Sequence, residues 1–213
     1  MLPFTTEQFF AVFASYNAAI WPVQPVAYLV GAAALVFALR GGRLAARVVP
    51  AALAVMWLWT GTVYHLLHFV AVNPAARLFG AAFLLQGLLF LGTAARGRPL
   101  TFEPIRSGWR PAFGLFLVAY AAVLYPVLGR LAGHPWPEVP SFGVTPCPVT
   151  IFTFGLLLLA VTRVPLWLLV VPAVWSVIGG SAAVLLAVPQ DWMLLAGGIA
   201  AMTILLRGWT ARA

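Results

Sequence analysis

The feature that most constrains this chain is the placement of its arginines around seven long apolar runs. All twelve basic residues are arginine and none is lysine. Cutting the sequence at its apolar runs predicts membrane-spanning helices at 22–39, 48–70, 74–95, 111–131, 148–162, 164–187 and 189–206. Arg40, Arg43, Arg47, Arg96, Arg98, Arg106, Arg110, Arg163, Arg207 and Arg212 then fall on one side of a membrane, and only Arg77 and Arg130 on the other. Basic loops stay in the cytoplasm, so the expected topology is seven spans with the N-terminus outside and the C-terminus inside.

Composition supports a single bundle. Hydrophobic residues make up 63% of 213 and charged residues 8%, so spans and short connections consume the chain. The expected division is an outer interfacial helix at 1–21, a seven-helix bundle at 22–207 and a cytoplasmic tail at 208–213. The net charge of +8 is topological and does not point to nucleic acid. Its natural partners are the bilayer and anionic lipid headgroups at the cytoplasmic arginines. Self-association into a homo-oligomer stays open at this level. Without lysine no retinal Schiff base can form, which excludes a rhodopsin. The single cysteine, Cys147, excludes an internal disulfide.

Residues 1–20 have neither a basic n-region nor a clean apolar core, unlike a signal peptide. Phe9, Phe10, Phe13 and Ile20 alternate with Glu7, Gln8, Tyr16 and Asn17. That pattern predicts an amphipathic helix in the outer interface, capped at Thr5 or Thr6. Trp21, Tyr64, Tyr125, Trp136 and Trp192 are expected in the outer aromatic belt, with Trp109 and Trp209 in the inner one. The connection at 96–110 reads as a lipid-facing loop.

Two apolar cores are short. Residues 148–162 and 192–206 would span ~22 Å of a ~30 Å hydrocarbon layer. Both follow proline-broken stretches, Pro146-Cys147-Pro148 and Pro189-Gln190-Asp191, and such breaks point to a water-reachable binding site. The first should be accessible from outside. Val48-Val49-Pro50-Ala51 is echoed by Val170-Val171-Pro172-Ala173, which suggests a 3+1+3 parallel repeat. Gly179-Gly180-Ser181 and Gly197-Gly198 should let the last two spans pack closely, and Pro126 and Pro172 should kink their helices.

The chemistry gathers at the outer ends. All three histidines, the cysteine and three of the four acids are there, and the hydrocarbon zone holds no Asp, Glu, Lys, Arg or His. Ion-coupled pumps carry an acid at depth, so uphill transport is disfavoured. The leading expectation is an outward-facing vestibule serving a passive channel or uniporter for a small neutral solute. Tyr64, Asn73, Gln190 and Asp191 would line it, with Trp57, Trp59, Gln86 and Trp175 further along. The alternative is a zinc- or copper-dependent enzyme or metal-handling protein using His65, His68, His134, Cys147 and Asp191. Each residue also has a plainer role: solvated interfacial imidazoles, an interhelical hydrogen bond for Gln86, a helix cap for Asp191, and a small buried thiol.

The strings FTTEQFFAVFASYN, YHLLHF, NPAARLFGAAFLLQGLLF, GHPWPEVPSFGVTPCPVTIFTFGLLL and VPQDW resemble an uncharacterised bacterial family of multi-pass membrane proteins. The resemblance covers nearly the whole chain. It implies a bacterial inner-membrane location and brings neither an activity nor functional residues.

Overall fold

The structure, a computed structural model, describes residues 3–105 and 107–210, the side chains of 208–210 excepted. Arg106, Arg212 and the Trp209 side chain, all used in the topology argument, lie outside the described residues. The described residues form an all-helical bundle without strands. Its helices are α1 (Thr6–Ala19), α2 (Val23–Arg40), α3 (Gly42–Trp59), α4 (Ala76–Arg96), α5 (Trp109–Ala119), α6 (Tyr125–Leu131), α7 (Pro146–Leu159), α8 (Val170–Leu185) and α9 (Trp192–Thr210).

Six stretches are long and apolar enough to cross a membrane: 23–40, 42–71, 76–96, 109–131, 166–185 and 189–207. They coincide with six of the seven runs read from the sequence. The remaining run forms α7, a helix of 14 residues, ~21 Å long. Every residue of α7 is buried. A helix apolar on all sides belongs inside a bundle, and α7 packs against α2, α3, α5, α8 and α9. Its shortness is compatible with this place, because its neighbours rather than lipid surround it.

Small residues set the closest approaches. A Cβ on Gly114 of α5 would lie 2.8 Å from the carbonyl oxygen of Gly155 on α7, and the reverse contact is equally tight. A Cβ on Gly180 of α8 would lie 2.6 Å from that of Leu195, and one on Gly198 of α9 2.5 Å from Ser176 Oγ. The close packing expected of the last two spans is therefore present.

Pro172 acts differently from expectation. α8 starts at Val170, so Pro172 sits in its first turn, where an N–H has no helical acceptor in any case, and it kinks nothing. Pro50 lies inside α3, so the two Val-Val-Pro-Ala strings occupy unlike places in their helices.

Two segments depart from α geometry. Residues 60–68 continue α3 as a π-helix, and residues 120–124 join α5 to α6 in the same form. In an α-helix, residues five apart lie ~140° apart around the axis. A wider turn with i→i+5 hydrogen bonds brings them towards one face. Tyr125 N–H bonds to Tyr120 O in this way, and Phe69 N–H to Tyr64 O. Tyr64 and Phe69 accordingly stack at 5.5 Å.

Candidate functional site

Helix α1 closes one end of the bundle. Thr5 and Gln8 form a reciprocal capping box at its start, as the Thr5 reading predicted. Phe10, Val12, Phe13, Tyr16 and Asn17 are buried. Asn17 is the anchor. Its Nδ2 donates to Pro137 O at 2.7 Å and Val139 O at 2.8 Å, its Oδ1 accepts from Ser141 Oγ at 2.9 Å, and its carbonyl accepts from Gln24 Nε2. Tyr16 donates to Val144 O at 2.6 Å and accepts from Trp59 Nε1 at 3.0 Å. Burial pushes its phenol pKa up, so it stays a neutral donor. The helix is thus fastened to the 134–145 connection rather than merely resting on it.

Beneath α1 lies a cavity of about 400 Å³. Its walls are Phe4 just before α1, Phe9 and Phe13 of α1, Tyr64 of the π segment and Phe69 just after it, Phe79 of α4, and Trp175, Ile178 and Ala182 of α8. Cys147, at the start of α7, and Asp191, just before α9, bring polar atoms to its lining. Asp191 is 2% exposed, and its Oδ1 accepts from Tyr125 Oη at 2.5 Å. The Cys147 thiol lies close to this carboxyl group and to the Trp175 indole. One turn away, Tyr120 donates to Gln190 O at 2.8 Å. Both tyrosines therefore hold the 189–191 turn, and the π segment between them aligns them for it. Sequence reasoning put Tyr125 and Tyr64 in the aromatic belt, but both are buried. Tyr120 was missed altogether. The only available signal was the five-residue spacing, which has no meaning on an α-helix.

The other expected site residues are distributed as follows. Asn73 lines the cavity and also caps the turn before α4, with Oδ1 accepting from Ala75 N. Gln190 is buried, with both amide atoms lacking a hydrogen-bond partner. Trp57 and Gln86 lie in the core, where Trp57 Nε1 donates to Thr153 Oγ1 and Gln86 Nε2 to Leu168 O. Cys147, expected to be accessible from outside, is buried under α1 and α8.

The histidines separate. His65 is fully buried among Phe83, Trp175 and Phe79, and neither ring nitrogen has a partner. His68 Nδ1 lies 2.9 Å from Val63 O. His134 stacks on Phe10 and pairs with Glu138 at 3.3 Å. Among the described residues, no three His, Cys, Asp or Glu side chains are grouped to hold a metal ion.

Residues 6–212 match the model of a family of unknown function, DUF6064. The chain belongs to that family. The matched stretch takes in the whole bundle, the capping helix α1 included. No curated protein and no solved structure matches the chain. The several apolar helices of this family member are compatible with a membrane protein.

Proposed function

We propose that this protein binds a small amphiphile in the cavity under α1, as a seven-span protein of the bacterial inner membrane with its N-terminus outside. The carrying observation is the contrast within one cavity. Its aromatic walls suit an apolar chain, and a buried carboxyl, thiol and indole N–H suit a hydroxyl or ammonium head. Entry from the lipid is favoured by the exposed apolar residues Val177, Ile178 and Leu185 beside the cavity on α8. The topology rests on the arginine distribution.

This reading keeps the outward-facing vestibule expected for a channel or uniporter and changes its depth. At the cavity wall that Trp175 forms, His65, Phe83 and Trp175 pack edge to face, with Trp57 beside Phe83. That packing supports a closed-ended binding pocket over an open path for a solute. The zinc or copper alternative gains no support, since His65, His68 and His134 are not grouped with Cys147 and Asp191.

The single cysteine provides the test. In reconstituted protein, a lipid-soluble maleimide is expected to label Cys147 and a membrane-impermeant one to react far more slowly. Dodecylamine or dodecanol should slow labelling at least tenfold in wild type. Ala182→Phe, which fills the cavity from α8, should abolish that protection. Equal labelling rates with and without both amphiphiles would sink the proposal.

A further inference from the structure

We infer that a crevice at the opposite, arginine-bearing end binds a phosphate group, the chemistry shared by an anionic lipid headgroup and a soluble phosphate. The crevice has a volume of about 570 Å³ and lies between the α2–α3 turn and the segment following α4. Arg43, Arg47, Arg96 and Arg98 line it, opposed by one carboxylate, Glu103. Among the described residues none of these four arginines forms an ion pair. Arg47 alone makes a hydrogen bond, from Nη1 to Ala95 O at 3.3 Å, which holds it across the end of α4.

Four like charges around one crevice raise each other's energy, and an anion between them relieves the repulsion. Guanidinium groups match phosphate oxygens with paired N–H donors. The start of α3 also opens onto this crevice, with no acidic residue in its first turn and no side-chain cap. The positive end of that helix adds to the arginines' field, and the carbonyl end of α4 at Arg96 and Gly97 offsets part of it, which leaves the arginines as the main attraction.

The walls are fixed in advance, which separates this crevice from a set of loose surface charges. Gly42 N–H bonds to Phe102 O at 2.9 Å, Ile105 N–H to Leu39 O at 3.2 Å, and Val161 N–H to Thr101 O at 3.0 Å. Leu100 and Phe102 are buried. Gly41 has φ +69°, and a Cβ there would lie 2.5 Å from Glu103 Cα, so the segment is pressed onto the α2–α3 turn. The 96–110 connection, expected to face lipid as a loop, is in this part folded into the end of the bundle.

The test uses the full chain in phosphatidylcholine nanodiscs, with thermal unfolding followed in two titrations at constant ionic strength. One adds phosphatidylglycerol to the bilayer and the other adds inorganic phosphate to the solution. At least one should raise Tm in a saturable way. A rise with phosphatidylglycerol alone assigns a headgroup, and a rise with phosphate alone assigns a soluble anion. Arg43→Gln with Arg98→Gln should weaken the apparent affinity about fivefold per arginine removed. Neither side chain has a hydrogen-bond partner in the fold, so folding should persist. Arg77→Gln, at the other end, should leave the affinity unchanged. No response in either titration, an unaltered affinity in the double variant, or an equal loss in Arg77→Gln would overturn the inference.

Discussion

At the cavity end, the irregular 134–145 connection is held by side chains: three Asn17 hydrogen bonds and the Tyr16 phenol carry the attachment to α1. At the arginine end, the 97–105 segment is held by backbone bonds to Leu39, Gly42 and Val161, with one side chain, the Thr162 hydroxyl, accepting from Thr101 N–H and donating to Pro99 O. The first kind of attachment depends on particular residues, and the second survives most substitutions. The charges differ in the same sense. The cavity's single carboxyl group is buried and bonded, whereas the crevice's guanidiniums are exposed and free of ion pairs. Function at the first end therefore rests on shape and buried polarity, and at the second on accumulated charge.

Substitutions can break this contrast, and the largest effect is expected at Asn17. Asn17→Ala leaves two carbonyls and the Ser141 hydroxyl unpaired in a buried site, and should cost about 3 kcal/mol or more. Thermal unfolding in one detergent measures it, and a loss under about 1 kcal/mol would deny Asn17 its anchoring part. Tyr125→Phe comes next. It removes the bond to Asp191 and should cost about 1.5 kcal/mol or more, exceeding Tyr120→Phe, which removes a bond to a carbonyl only. The reverse order would place the weight of the 189–191 turn on Gln190 instead. The smallest effect is expected at the other end, where Arg43→Gln should shift stability by no more than about 0.5 kcal/mol. A larger loss would mean that the crevice arginines hold the fold.

Much of the bundle is legible in the order of residues alone. Apolar runs locate the helices within a few residues, because burying some twenty apolar side chains in succession leaves the backbone few alternatives to helix. The second run begins earlier than its apolar core suggests, since Gly42 to Arg47 continue the helix in polar surroundings. The Thr5 cap and the small-residue contact between α8 and α9 are local signals and are readable as such. The site is readable in part. Asp191, Cys147, Tyr64, Asn73 and Trp175 do share one cavity, while Trp57 and Gln86 spend their donors on core hydrogen bonds. Burial and partners depend on what the rest of the chain places nearby, which spacing along one helix does not encode.

From the sequence by itself follow the helical class, the helix positions and the unequal charge of the two ends. These depend on short-range periodicity and on the cost of leaving backbone or charge in hydrocarbon. Only the tertiary structure decided that α7 is the enclosed centre, that α1 is bolted over a cavity, and that two π segments turn residues five apart onto one face. Each of these is set by contacts between residues distant in the chain. Tyr125 meets Asp191 66 positions on, and Asn17 meets Ser141 124 positions on. Such pairings follow from how the helices pack against one another, which no local pattern in the chain records.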